Sequence, residues 1–394
     1  MNFILFDEGR EDLLPLAYTR PIAEFRCGIL TLKEKWQKRI PSGNFSFLTA
    51  DYLQEKYPFR HDKMKNVYLS ANLCSSDEMV DYIHQLQNRE CLVDQDGEVL
   101  ALRTDEVLAI NGIKPEGYAL KIFEGEVKKL QHLWDIFTLN AEELEKDYEL
   151  ITQGRNSQAI AESNTVIGER VFLEAGAKVQ ASVLNASSGP IYLGKDSEVM
   201  EGSVVRGGLA LCDHAVLKLS TKIYGATTIG PYSKVGGEVN NSVIFGYSNK
   251  GHDGFLGNSV LGEWCNLGAD TNVSNLKNNY AEIKVWNYKK GGFLNSGRQF
   301  CGLMMGDHSK AGINTMFNTA TVVGVSANVF GAGFPRNFIP SFSWGGAEKW
   351  TEYRLKPAFE VAERMMERRE IEFSKADQAI LKKIYELSAV YRNF

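Results

Sequence analysis

The order of apolar and polar positions divides the chain into three textures. In residues 1–152, short apolar runs alternate with segments of helical period. Residues 3–6, 45–49 and 67–70 are apolar runs of strand length. Residues 29–39 and 77–87 repeat their apolar positions at three- and four-residue spacing, and Met79, Val80, Ile83 and Leu86 fall on one helical face. Asp94-Gln-Asp-Gly97 between two β-prone runs predicts a hairpin. The alternation predicts an α/β layer structure. Residues 134–148 read as a closing helix and linker.

From residue 153 to 346 the helical period disappears and a period of six replaces it. Leu193, Val199, Val205, Leu211, Leu217, Ile223, Ile229 and Val235 are aliphatic at six-residue steps. Ile167, Leu173 and Val179 form an earlier run. Leu261, Leu267 and Val273 form a third, and Met305, Ala311, Phe317, Val323 and Val329 a fourth. This spacing predicts a parallel β-helix of hexapeptide repeats, with one short strand and turn per unit and the aliphatic residue pointing inward; its similarity to hexapeptide-repeat proteins implies the left-handed kind. The period breaks at 181–192, 237–254 and 277–304. Those breaks predict loops, where a solenoid usually holds its site. The third texture, residues 347–394, is helical again. Trp350, Leu355, Phe359, Val361, Ala362 and Met365, then Ile380, Ile384 and Leu387, predict a helical cap over the last coil.

Charge and cysteine usage narrow the function. A formal net charge of −5 leaves no basic footprint for nucleic acid. No apolar stretch reaches the ~18 residues that a membrane span needs. The start goes straight into a strand-like run with no basic region, so no signal peptide is expected. Cys27, Cys74, Cys91, Cys212, Cys265 and Cys301 are scattered without a C-x-x-C pair. That argues against zinc and a disulfide framework and suits a reducing cytoplasm.

Within the β-helix region, Asn249-Lys-Gly-His252 is followed by a glycine-marked coil, Asn266-Leu-Gly-Ala-Asp-Thr271 and Asn275. This stretch resembles the acetyltransferase core of the bifunctional UDP-N-acetylglucosamine pyrophosphorylase/glucosamine-1-phosphate acetyltransferases. The segment from Asn275 to Val285, Ser296-Gly-Arg298 and Gly306-Asp-His-Ser-Lys310 resemble parts of the archaeal enzymes of that family. The resemblance implies that His252 is the general base and that Asn266 positions the amine or acyl group. It also implies that Asn275 contacts the acyl donor and that Lys284 lies near the sugar phosphate. Lys250, Arg298 and Lys310 would add positive charge for phosphate or coenzyme A. Acyl transfer to an amine needs such a base and such donors. His214 and His308 read as structural. Phe255 replaces a family tyrosine and Leu276 another, which leaves the sugar open.

Leu13-Leu-Pro-Leu-Ala-Tyr-Thr-Arg-Pro21 resembles the L-x-P-L-T-x-x-x-P segment of sugar-1-phosphate nucleotidyltransferases. The strand at 3–6 precedes Asp7-Glu-Gly-Arg10, where those enzymes have a glycine-rich phosphate loop. The longer string from Leu14 to Trp36 is similar to a divergent bacterial branch of the same bifunctional family. Arg10, Arg20, Arg26 and Lys35 are the implied phosphate contacts, and Asp7 the implied Mg²⁺ ligand. An alternative for Arg20 and Arg26 is that they pin the loop to carboxylates such as Glu24.

Taken as a whole, the resemblance implies a cytoplasmic homotrimer using a sugar 1-phosphate, a nucleoside triphosphate (UTP or dTTP) and acetyl-CoA. Two other readings stay open: a single-activity enzyme with one half degenerate, and a non-catalytic β-helix trimer.

Overall fold

The computed structural model describes residues 1–63 and 65–394. They divide into two compact units. One contains Met1–Leu13, Thr19–Phe25 and Leu30–Gln131; the other contains Leu14–Tyr18, Arg26–Ile29 and His132–Phe394.

In chain order the first unit holds β1 (Asn2–Phe6), α1 (Leu32–Arg39), β2 (Asn44–Leu48), β3 (Asn66–Ser70), α2 (Asp77–His84), β4 (Glu90–Val93), β5 (Val99–Thr104) and β6 (Ala119–Ile122). The sheet order is β2-β1-β3-β5-β4-β6. β1 lies parallel to both β2 and β3, whereas β5 is antiparallel to β3 and β4. β1 is buried along its whole length, which is why its sequence is continuously apolar rather than alternating. Residues 94–97 join β4 to β5, as the turn signal predicts. The helix expected at 29–39 starts later, at Leu32. Thr31 caps it: the Glu34 N–H donates to the Thr31 hydroxyl at 3.2 Å, and the Thr31 N–H donates to the Glu34 carboxylate at 2.7 Å.

The second unit begins with α3 (Asp135–Thr152), which is more than a linker. Asn140, fully buried, accepts from the Gly28 N–H at 2.7 Å and donates to the Ala226 carbonyl at 2.9 Å. By these contacts α3 belongs with the second unit, whose long segment starts at His132.

After α3 the chain winds as a parallel β-helix. Among the described residues its three long sheets have six, nine and ten strands, each sheet drawing every third strand in turn as far as Leu267. Neighbouring strands in a sheet are one coil apart, ~4.8 Å. The aliphatic residues of the four period-six runs form one buried cluster, with Ile167 the exception. Leu184 pairs with Val166, so by register Val166 continues the inward column and Ile167 does not, although both are exposed at this end of the coils. The break at 237–254 holds no insertion. Shortened corners shift the count, and the inward positions become Val239, Ile244, Lys250 and Leu256. The break at 277–304 does hold one: an antiparallel hairpin of Lys284–Asn287 and Gly292–Asn295.

One corner of the coil is occupied in successive turns by His214, Tyr232, Tyr247, Trp264 and His308, all with φ between 52° and 61°. Their rings stack as a ladder, with centroids 4.6, 5.2, 4.4 and 6.2 Å apart. Ring stacking offsets the cost of holding non-glycine residues in the left-handed region.

The tail departs from the expected cap. Trp350 lies in a strand, Trp350–Glu352, antiparallel to Ser343–Gly345 of the last coil. Two helices follow, α4 (Leu355–Glu367) and α5 (Lys375–Leu387). Tyr385 of α5 stays at the last coil, edge-on to Phe342. α4 instead runs back along the side of the β-helix, so that the Arg369 guanidinium donates to the Tyr232 carbonyl at 3.2 Å. Among the described residues no helix is long and apolar enough to cross a membrane and no disulfide forms. All six cysteines are buried.

Candidate functional site

A groove of about 750 Å³ opens on the β-helix where α4 ends against it. Its floor is one outward column of a single sheet. Lys234 pairs with Asn249, Asn249 with Asn266, and Asn266 with Lys310. Each residue sits one coil above the last, so two asparagines stand between two lysines. Tyr247 and Trp264 of the aromatic ladder form one wall. Gly251, His252 and Gly268 form another, and Met365, Arg368 and Arg369 close the groove at the end of α4. His252 is exposed there. The Asn249 Oδ1 is buried and has no partner within the protein, an acceptor awaiting a donor.

The groove is electropositive. Lys218, Lys234, Arg368 and Arg369 all line it, and among the described residues none of the four forms an ion pair. Burial pushes the Lys234 ammonium below its ordinary pKa, and repulsion from Arg369, Lys218 and Arg368 adds to that. Burial also brings Lys310 down to about 8; its ammonium donates to the His308 carbonyl at 2.7 Å. Unpaired cations that repel one another favour an anionic ligand.

Of the residues expected to act on the β-helix, the groove gathers His252, Asn266 and Lys310. Lys250 belongs to the same coil but points inward and is 2% exposed, so it does not meet a bound phosphate as expected. Asn275 lies outside the groove, its amide donating to Asn258 Oδ1 at 2.8 Å. Lys284 starts the inserted hairpin, exposed opposite Asn295. Arg298 is half-buried beyond the hairpin's second strand, its N–H on the Ser296 hydroxyl. Lys218, Lys234, Arg368 and Arg369 were not legible as site residues. No motif contains them, and only the return path of α4 brings the last two onto the coils.

In the first unit, Asp7 follows β1 at the carboxyl end of the parallel strands, where open α/β sheets hold their ligands. Its Oδ1 accepts from the Ile22 N–H at 2.9 Å. Its Oδ2 accepts from the Thr49 hydroxyl at 2.5 Å and from Arg10 at 3.1 Å. Arg10 also donates to Thr49 at 2.8 Å and Tyr52 at 3.2 Å. The Asp7 side chain is fully buried. Burial raises its pKa against the opposing pull of Arg10. Three protein donors engage its two oxygens, so Asp7 ties three loops together. No group of three or more metal-ligating side chains occurs among the described residues. Arg20 is 5% exposed and Lys35, on α1, is fully buried. Glu24 pairs with Lys33 rather than with Arg20 or Arg26. Arg26, in the second unit, donates to the Ile29 carbonyl.

Residues 3–156 match the family described as sugar nucleotidyl transferase. A bifunctional sugar-1-phosphate nucleotidylyltransferase/acetyltransferase of Sulfurisphaera tokodaii is 29% identical over 144 residues, 36% of this chain. The match spans about a third of that relative's length, 35%. Among solved structures, the UDP-N-acetylglucosamine acyltransferase of Francisella novicida is 12% identical, covering 58% of this chain and 88% of that one, with a TM-score of 0.29. The Arabidopsis UDP-N-acetylglucosamine acyltransferase is 15% identical, covering 59% and 82%, with a TM-score of 0.27. The family match and the bifunctional relative sort the chain among the transferases.

Proposed function

We propose that the chain makes an activated amino sugar. Its second unit transfers an acetyl group from acetyl-CoA to the amine of an amino-sugar 1-phosphate. Its first unit joins a sugar 1-phosphate to a nucleotide from UTP or dTTP. The observation that supports this best is the groove itself: an exposed histidine beside an asparagine column, with unpaired cations at both ends. In the reaction, His252 takes a proton from the amine as its nitrogen attacks the thioester carbonyl. The Asn266 amide donates to the oxyanion of the tetrahedral intermediate. The C–S bond then breaks, and the thiolate leaves with the proton held by His252. Lys234, Lys310, Arg368 and Arg369 hold phosphate groups of the two substrates. The assembly is a cytoplasmic homotrimer, which sedimentation at three times the chain mass checks.

A second reading, an acetyltransferase with a degenerate front site, is favoured by Asp7 and Arg10, whose polar atoms are engaged within the protein. Two assays separate the readings. Thiol release from acetyl-CoA with glucosamine 1-phosphate and related amino sugars tests the β-helix. Pyrophosphate release from UTP or dTTP with sugar 1-phosphates tests the front unit. Both signals support the first reading, and thiol release alone supports the second. Neither signal from folded protein would overturn both.

A further inference from the structure

The column of inward residues on the longest sheet contains a lysine. Strand pairing runs Val179–Val199–Leu217–Val235–Lys250, then, past Leu267, to Ala311 and Val329. The other members of this column are aliphatic. Lys250 is 2% exposed, and its ammonium reaches forward two residues along its own chain to donate to the His252 carbonyl at 2.5 Å. A charge in a β-helix core is costly unless it is well paired, and an aliphatic residue would fill the place better.

The main chain at His252 is held from other sides too. One coil below, Gly236 and Gly237 have no side chains, and a Cβ on Gly237 would lie 2.8 Å from both the His252 carbonyl and the Asp253 Cα. One coil above, the Asp270 N–H donates to the Asp253 carbonyl at 3.1 Å. A Cβ on Gly254 would lie 2.2 Å from the Thr271 carbonyl. The loop thus fits closely between its neighbouring coils, and the lysine fixes it from inside.

We infer that Lys250 is a positioning residue: by binding the His252 carbonyl from within the coil, it sets where the imidazole stands in the groove. This rests on His252 being the base. It does not bind phosphate, because its ammonium is inside the coil. Removing it leaves the groove's cations in place but frees the loop.

The test compares the full-length chain with Lys250→Met and Lys250→Leu, both chosen to fit the aliphatic column. The expected result is a kcat for acetyl transfer lowered at least ten-fold with KM values within two-fold. Backbone amide exchange should be faster at residues 251–254 and unchanged along the neighbouring inward strands. Wild-type kcat in a folded variant, or unchanged exchange at 251–254, overturns the inference. If the wild type transfers no acetyl group, the acetyltransferase reading falls, while the exchange comparison still decides whether Lys250 fixes the loop.

Discussion

Lys234 and Lys250 stand one coil apart on the same sheet, yet one faces the groove and the other the core. Their chemistry follows from that difference. Burial lowers Lys250 from 10.5 to about 8, with Asp253 and Asp270 pulling the other way and Lys222 adding repulsion. Between these two values an unfolded chain keeps the proton that the folded chain gives up, so this residue makes stability rise with pH from about 8 to 10.5. Below pH 8 the folded chain bears the full penalty, about 3 kcal/mol. Lys250→Met should therefore be more stable than wild type by up to about 3 kcal/mol at pH 7, with the gain shrinking toward pH 10. Urea melts of both proteins at the two pH values measure it. A constant difference would mean that the ammonium is not desolvated. Taken with the loss of kcat expected above, this would make Lys250 a site where stability is given up for function.

The same residue shows how far the sequence could be read. Period six located the inward column and most of its members. It did not reach Lys250, because the count changes to four and five across 235–244 and the lysine then looks like a surface cation. Continuing the count through Val239 and Ile244 to Leu256 finds its place. Ile167 failed in the opposite way: it fits the period, but strand pairing puts Val166 on the inner side. His252 and Asn266 were legible because their motif lies within one stretch of chain. A carboxylate after β1 gives no sign in sequence that Ile22, Thr49 and Arg10 will hydrogen-bond both its oxygens.

At the scale of elements, α4 decides the shape of the site. A cap over the last coil would have left the groove open and less positive. Running back to Tyr232, α4 instead presents Arg368 and Arg369 beside Lys218 and Lys234. Its amphipathic pattern was plain in the sequence, but the surface it would cover was not, since any exposed face of the coils could accept it. Replacing Arg368 and Arg369 with alanine should raise the KM for acetyl-CoA roughly ten-fold and change kcat little, as expected for binding lost equally in ground and transition states. Steady-state kinetics at low and high salt checks this: the wild type should lose affinity as salt rises, and the variant much less. The glycine pair one coil below His252 gives a second test. Gly237 has a φ of 74° and backbone atoms 2.8 Å from where its Cβ would be. Gly237→Ala should cost roughly 1–3 kcal/mol in thermal or urea unfolding. It should also lower acetyl transfer by displacing the His252 loop.

At the scale of the whole chain, the two proposed activities fall on separate compact units, so each is expected to fail on its own. The α/β and β-helix architectures were both legible, because short apolar runs, a period of 3.6 and a period of six leave different traces. The contacts of residues 134–148 were less so: they read as a closing helix and linker by sequence, whereas the buried Asn140 and the Glu145 and Glu149 pairs with Arg170 tie α3 to the coils. The central claim is that the β-helix groove is the acetyl-transfer site and His252 its base. The most direct measurement is thiol release from acetyl-CoA with glucosamine 1-phosphate by wild type and His252→Ala, with pyrophosphate release from UTP or dTTP and a sugar 1-phosphate followed in the same preparations. The substitution is expected to lower thiol release by a factor of about 100 or more, on the scale of a lost general base, and to leave pyrophosphate release unchanged. Thiol release that persists at the wild-type rate in folded His252→Ala protein would contradict the claim.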